Sequence, residues 1–272
     1  MNPYRLAATH RPSRKSTVRS HELTPIAAAM RLLPPLSSTG APLQVELPPG
    51  DALRMRNLVH RGTQRPVFKV PSLRLDRPVQ CESILEYEAT VLLDVAPGVS
   101  SFAEQPARIH YVLDGERRTH VPDFAVLVGS RHAFLEIKFE KDVDEEVRER
   151  TTLLQHGLVR HGWEYHLLTE AVLRRGVHLA NAQGILRRAR HAASEVDTLR
   201  VLERLRRASR HVLGDFGWNM HGNVEALSVA QLITTGLAAI DWSRPLSETS
   251  SIWATNEANN EEAAPWLLAP SA

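Results

Sequence analysis

The chain has 272 residues, and its 33 Lys and Arg against 31 Asp and Glu leave a formal net charge of only +2. Hydrophobic residues make up 43% of the sequence, which is typical of a globular protein and excludes a wholly disordered or collagen-like chain. The single cysteine excludes an internal disulfide and a cysteine-based zinc site, and it favours a reducing, cytoplasmic environment. No apolar run predicts a membrane span or a secretory signal.

The first part of the chain is rich in proline and basic residues. Residues 1–80 hold 11 of the 17 prolines, and residues 1–70 carry 11 Lys and Arg against 3 Asp and Glu. Because hydrophobic periodicity is weak here, residues 1–66 are predicted to form an extended, partly disordered arm.

The middle of the chain, residues 67–170, has the strongest pattern. A helix is predicted over Glu82–Val95, since helical content stops at the breaker pair Pro97-Gly98. Asp114-Gly115 predicts a hairpin turn. Further along the chain come four predicted strands, a helix and a fifth strand: Val99–Glu104, Arg108–Leu113, His120–Val128, Ala133–Phe139, Asp142–His161 and Trp163–Leu168. This order predicts an α/β fold with a mixed sheet flanked by helices.

Residues 171–254 are predicted to form a mainly helical module, with helices over Ala180–Ala193, Val196–Leu213 and Ser228–Leu237. Two short strands, Leu237–Trp242 and Thr249–Trp253, follow its helices, and helices followed by a small hairpin suggest a winged-helix-like arrangement. Residues 255–272 are predicted to be a flexible tail.

The residues that suggest chemistry lie in the middle segment. Pro122-Asp123 opens one predicted strand, and Glu136 and Lys138 lie two residues apart on the next, so their side chains share a face. Burying an acid and a lysine on an apolar strand is costly unless something compensates. Asp123 and Glu136 could bind Mg²⁺, with Mn²⁺ expected to substitute, and Lys138 could stabilise developing phosphate charge.

The alternative is a simple ion pair between Glu136 and Lys138 on an edge strand. The chain has 29 Arg and only four Lys, which favours a specific role for Lys138 because Arg would serve for generic positive charge. Three acids on the preceding helix could add a third carboxylate, and periodicity does not choose among Glu82, Glu86 and Glu88.

Several short motifs follow one another in order through residues 67–138. They are Pro71-Ser72, Arg77, ESILE at Glu82–Glu86, SFAEQP at Ser101–Pro106, HVPDF at His120–Phe124 and LEIK at Leu135–Lys138. In this order they resemble the catalytic domain of TnsA-type endonucleases, which are subunits of heteromeric bacterial transposases. Those nucleases belong to the restriction-endonuclease-like PD-(D/E)xK group.

The resemblance implies a role for each matching residue. Glu86 would be an active-site acid and a further metal ligand, Asp123 the central metal ligand and Glu136 the second ligand. Lys138 would be the catalytic lysine. Some family members have Gln where Glu136 stands. Gln105 would support the site, although a strand-end hydrogen bond is an equal alternative.

The resemblance also implies a function: metal-dependent cleavage of DNA at transposon ends. The partners would be a DDE-type transposase subunit and an ATPase regulator. Two alternatives stay open, a stand-alone restriction or repair endonuclease of the same fold and a catalytically silent DNA-binding or scaffold protein. A basic run, Arg187, Arg188 and Arg190, is a candidate DNA contact, with a solvated helix face as the alternative.

Overall fold

A computed structural model describes residues 25–35, 42–50, 52–55, 67–191, 193–208, 210–255 and 268. Helices and strands are interspersed along the chain, and five strands follow one another between Val99 and Ile137. The helices are α1 (Pro25–Met30), α2 (Ile84–Val95), α3 (Glu145–Val159), α4 (Glu170–Leu173), α5 (His178–Ala189), α6 (Glu195–Arg207) and α7 (Val224–Thr234). The strands are β1 (Leu43–Glu46), β2 (Phe68–Ser72), β3 (Arg77–Cys81), β4 (Val99–Glu104), β5 (Arg108–Leu113), β6 (Glu116–His120), β7 (Phe124–Val128), β8 (Arg131–Ile137), β9 (Trp163–Leu168), β10 (His211–Val212), β11 (Ala238–Ile240) and β12 (Ser251–Ala254).

The central sheet has four strands in the order β4-β7-β8-β9. The pairs β4–β7 and β7–β8 are antiparallel, and β9 runs parallel to β8 after the crossover through α3. Successive residues of β7 point to opposite faces: Phe124 joins the core under α2, and Ala125 joins the core under α3. The predicted α/β class with a mixed sheet is therefore confirmed in this coarse form.

The Pro-rich segment contributes to the body of the protein. The structure has a helix at α1 and a strand at β1 where the sequence predicts an extended arm. Ile26 and Met30 of α1 are buried in the core that also holds Leu154 of α3, and β1 pairs antiparallel with β5. Proline density concealed these elements, because each is short and lies between breakers.

The predicted strand His120–Val128 is wrong as a single element. The turn at Asp114-Gly115, where both residues have positive φ, pairs Leu113 directly with Glu116, so β6 begins at once after the hairpin. The chain then leaves the β5–β6 sheet at Val121 and Pro122 and enters the central sheet at Phe124. Pro122 lacks the N–H that a continuous strand would need.

The predicted helix Val196–Leu213 is too long at its C-terminal end. Helix α6 ends at Arg207, and His211–Val212 forms a short strand. Leu213 is fully buried, whereas most of the last turn of α6 is exposed and basic, so the chain turns inward after the helix. The two predicted C-terminal strands do pair antiparallel, as β11 and β12, in a sheet of order β10-β12-β11.

One hydrophobic core joins the predicted nuclease segment to the predicted C-terminal module. It contains Leu92 of α2, Ile185 of α5 and Val229 of α7, together with residues of the central sheet. Arg190 adds a hydrogen bond from its Nη2 to the Pro71 carbonyl, 3.2 Å away. Residues on both sides of position 170 are thus packed together.

Among the described residues, no helix combines the length and the hydropathy that crossing a membrane requires.

Candidate active site

Asp123 and Glu136 are neighbours because of the register between β7 and β8. Phe124 pairs with Leu135, so Asp123, one residue before β7, lies beside Glu136 on the adjoining strand. Oδ2 of Asp123 accepts a 2.7 Å hydrogen bond from the main-chain N–H of Ile137. This bond ties the carboxylate to the end of β8 and holds the two acids together.

Glu136 is buried, and basic groups surround its carboxylate. Its Oε1 lies 3.5 Å from Nζ of Lys138 and 3.4 Å from Nη2 of Arg150 on α3. Its Oε2 lies 3.0 Å from Nε2 of His120, at the end of β6. Burial alone would raise the pKa of Glu136, but His120, Lys138 and Arg150 together hold this pKa below its ordinary value.

The Oε2 atom of Glu136 still lacks a well-aligned hydrogen bond from the described residues. Nε2 of His120 lies just as close to the Tyr165 hydroxyl, at 2.9 Å, and this second contact has the better hydrogen-bond geometry. A buried, ionised oxygen without a hydrogen bond is costly unless a ligand or water satisfies it.

The structure distinguishes among the three acids of helix α2 and its N-terminus. The Glu86 carboxylate lies close enough to Glu136 for their charges to interact, and burial and then the charges of Glu82 and Glu136 raise its pKa above the ordinary value. Glu88 instead forms a two-bond pair with Arg174, at 2.8 and 3.0 Å. Of Glu86 and Glu88, it is therefore Glu86 whose charge acts on Asp123 and Glu136.

Glu86 also has a local role at the start of α2. Ser83 caps the helix by accepting from the main-chain N–H of Glu86 at 3.1 Å, and Oε2 of Glu86 accepts from the N–H of Glu82 at 2.8 Å. One oxygen of Glu86 thus satisfies a main-chain N–H at the helix N-terminus, where a negative charge is favourable.

Gln105 connects the helix to the sheet. Its Nε2 donates to Oε1 of Glu82 at 2.8 Å, and its main-chain N–H donates to the Asp123 carbonyl at 2.7 Å. Its φ of +43° is unusual for a residue with a side chain, and such backbone strain clusters at functional sites. These contacts are compatible both with a supporting role for Gln105 and with a strand-end hydrogen bond, and neither of them reaches the carboxylate of Asp123, Glu136 or Glu86.

The crowded carboxylates suit a divalent cation. Burial, then the charges of Glu136 and Glu86, raise the pKa of Asp123 well above its ordinary range. A bound cation would relieve this repulsion and would satisfy Oε2 of Glu136. In the part of the chain that the structure describes, no group of three or more His, Cys, Asp or Glu residues is arranged to hold a metal ion. A site here would use Asp123 and Glu136 with a main-chain carbonyl and water, which is a sufficient donor set for Mg²⁺.

The three candidate DNA-contacting arginines, at the C-terminal end of α5, differ in their surroundings. Arg188 stacks on Trp218, with 4.1 Å from its guanidinium carbon to the ring centroid, and donates to the Trp218 and Gly184 carbonyls. Arg190 donates to Pro71. Arg187 is exposed on the same helix.

Three polar residues at the site were not predicted from the sequence: His120, Arg150 and Tyr165. His120 is the first residue of the HVPDF motif, and this proximity to Asp123 was the one signal available in the sequence. Arg150 is one of the 29 arginines of the chain and lies on a predicted helix with many charged residues. Tyr165 lies in a predicted strand whose pattern indicates only a role in the hydrophobic core. Only the parallel pairing of β8 with β9 and the packing of α3 bring them to Glu136.

No protein-family model matches the chain, and comparison with curated proteins gives no match. A solved structure, protein VC1899 from Vibrio cholerae, is similar over 32% of this chain at 15% identity, with a TM-score of 0.23. The matched region spans 23% of that protein's own length.

Proposed function

We propose that this protein is a metal-dependent DNA endonuclease with a restriction-endonuclease-like PD-(D/E)xK core, acting as the TnsA-like subunit of a heteromeric transposase. The observation that carries the proposal is the β7–β8 register, which brings Asp123, Glu136 and Lys138 together beside the N-terminus of α2. The motif order in the sequence supplies the expected chemistry, and the crowded, buried carboxylates support a cation site.

In this proposal Asp123 and Glu136 hold Mg²⁺, for which Mn²⁺ substitutes. When bound, Mg²⁺ supplies Lewis-acid activation of the phosphodiester and makes the attacking water more acidic. The hydrogen bond from the Ile137 N–H orients the Asp123 carboxylate. The charge of Glu86 adds to the negative potential at the start of α2.

Lys138 is suited to contact the substrate. Its side chain is 31% exposed, whereas the Glu136 carboxylate is 6% exposed, so the ammonium group lies at the solvent side of the site. There it can stabilise the negative charge that develops on the phosphate during hydrolysis.

The C-terminal region provides contacts with DNA or with partner subunits in this proposal. Its sheet order, β10-β12-β11 with α6 and α7, supports a winged-helix-like arrangement. The proposed partners are a DDE-type transposase subunit and an ATPase regulator.

The proposal is tested by Mn²⁺ titration of the purified chain and by Mg²⁺-dependent cleavage of supercoiled DNA, alone and with the partner subunits. Metal binding with cleavage only in the presence of partners supports the transposase subunit. Site-specific cleavage by the chain alone supports a stand-alone restriction or repair endonuclease. The absence of Mn²⁺ binding would overturn the metal-dependent mechanism.

A catalytically silent DNA-binding or scaffold protein is the second candidate. It is favoured by one observation, that the described residues contain no metal-binding group of three or more side chains. DNA binding without Mn²⁺ binding would support it.

Lys138→Arg is expected to reduce cleavage about 10-fold or more although it keeps the positive charge. The planar guanidinium is larger than the compact ammonium group and would be drawn into bidentate pairing with Glu136. Single-turnover cleavage rates measure the effect, and Lys141→Arg, an exposed neighbour beyond β8, is the control. A wild-type rate in Lys138→Arg would identify Lys138 as a surface ion-pair residue.

Arg187→Ala is expected to weaken DNA binding and to reduce the slope of log affinity against log salt by about one, the effect of losing one phosphate contact. Arg188→Ala should leave the slope unchanged and lower stability by about 1–2 kcal/mol, because it removes the contact with Trp218. Fluorescence anisotropy at several salt concentrations and thermal unfolding measure the two effects. A reduced slope in Arg188→Ala would contradict this assignment.

A further inference from the structure

Arg150 occupies an unusual position for an arginine on a charged helix. Its side chain is only 13% exposed, and its Nη2 lies 3.4 Å from Oε1 of Glu136. Its Nε is buried and has no hydrogen-bond partner among the described residues. Burying a guanidinium group costs free energy, so its retention beside Glu136 requires a compensating interaction.

Two buried tyrosines lie near Arg150. Burial raises the pKa of both Tyr165 and Tyr111, and the nearby positive charge of Arg150 opposes this rise at each hydroxyl. Tyr165 also hydrogen-bonds His120, the second basic group beside Glu136. Residues of α3, β6 and β9 therefore meet around the Glu136 carboxylate of β8.

Lys138 and Arg150 approach the same oxygen of Glu136 from different environments. Lys138 is 31% exposed and Arg150 13%, with nearly equal distances of 3.5 and 3.4 Å. The more buried cation is less screened by water and loses fewer conformations when it pairs. Arg150 can therefore neutralise Glu136 permanently, while Lys138 is able to leave it.

We propose that Arg150 is a positioning residue for Glu136: it orients and neutralises this carboxylate from α3, and so leaves Lys138 free for the phosphodiester. This inference rests on the proposed function, because it assigns Arg150 to the metal ligand of that same site. Residues that orient metal ligands typically contribute 10- to 100-fold to metal affinity.

The test is an equilibrium titration of the full chain with Mn²⁺, followed by electron paramagnetic resonance at constant pH. Arg150→Gln removes the charge, and Arg150→Lys keeps the charge but lacks the planar fork. Both are expected to bind Mn²⁺ about 10-fold or more weakly than wild type. Arg148→Gln, on the exposed side of the same helix, is the matched control and should bind like wild type.

Tyr165→Phe provides a milder variant if the Arg150 variants fail to fold. It removes only the hydroxyl that hydrogen-bonds His120 and lies near Arg150, and we expect Mn²⁺ affinity to fall several-fold. Unchanged affinity in this variant and in any Arg150 variant that folds would overturn the inference. Tighter binding by Arg150→Gln would also overturn it, because Arg150 would then act only as a competing cation. A wild-type affinity in Arg150→Lys would show that charge alone matters and would overturn the orienting role.

Asp123→Asn separates this inference from the proposed function. If wild type binds Mn²⁺, Asp123→Asn does not, and the Arg150 variants match wild type, only the role of Arg150 is wrong. If wild type shows no Mn²⁺ binding, the proposed function fails and this inference fails with it.

Discussion

Asp123→Asn is expected to abolish Mn²⁺ binding, to reduce cleavage about 100-fold or more, and to raise the thermal stability of the metal-free protein. Activity is lost because the carboxylate between β7 and β8 is the expected central ligand of Mg²⁺. Stability rises because asparagine removes one of three neighbouring acids, Asp123, Glu136 and Glu86, whose negative charges repel one another when ionised. The amide oxygen can still accept the hydrogen bond from the Ile137 N–H.

The stability gain is expected to depend on pH with a definite sign. Because the pKa of Asp123 is raised in the folded protein, the folded state binds a proton more tightly than the unfolded state does. The folded wild type therefore loses stability as pH rises above about 3.9, the ordinary Asp pKa, until the raised pKa is passed. The difference in melting temperature between Asp123→Asn and wild type should be small in acid and should grow toward neutral pH.

Thermal unfolding across this pH range, with and without Mn²⁺, measures the effect. Saturating Mn²⁺ should stabilise wild type and leave Asp123→Asn unchanged. Asp142→Asn, an exposed acid shortly after β8, is the control and should behave like wild type throughout. Full cleavage activity in Asp123→Asn would rule out the proposed site.

Arg77→Met is expected to destabilise the fold by about 3–5 kcal/mol, since it leaves a buried glutamate without its main partner. Glu104 at the end of β4 is 1% exposed, and Arg77 contacts both of its oxygens at 2.7 Å. Arg54 adds a longer contact of 3.2 Å to one oxygen and cannot replace this pairing. Urea unfolding of the metal-free protein measures the change.

Arg131→Met is the matched control, because it removes an arginine–glutamate pair of the same two-bond geometry at a more exposed position. Arg131 also pairs with a glutamate through two bonds, at 2.7 and 2.6 Å to Glu164, but both side chains are far more exposed. Its loss should cost less than about 1 kcal/mol. The double variant Arg77→Met with Glu104→Leu should recover most of the loss, because the buried carboxylate is removed together with its main partner. Equal effects of Arg77→Met and Arg131→Met would contradict this account.

The sequence predicted the elements whose ends carry strong local signals. Helix α2 is capped by Ser83 and is followed by Pro97-Gly98, and β4, β5 and β9 have the bounds expected from their apolar patterns. Strand β6 was missed because its sequence, ERRTH, is polar: the strand is held by its hairpin partner β5 and by contacts with α3, not by burial of its own side chains.

The residues of the candidate site also fall into those that local sequence predicts and those that it does not. Asp123, Glu136 and Lys138 could be predicted because alternation along strands fixes which residues share a face. Glu86 could be chosen over Glu88 only through the resemblance, since the pairing of Glu88 with Arg174 joins residues 86 positions apart. Arg150 and Tyr165 reach Glu136 through long-range packing, for which local sequence carries no signal.

The continuous core across position 170 has a consequence for how the protein can be divided. Since α2 packs with α5 and α7, a fragment ending near residue 170 would expose the apolar surface that these helices cover, and it should aggregate or fail to express. Heat should melt the chain in one cooperative transition, without separate steps for two halves. The chain is therefore a poor source of interchangeable modules, and a chimera that exchanges its C-terminal part would have to carry a matched α2 with it.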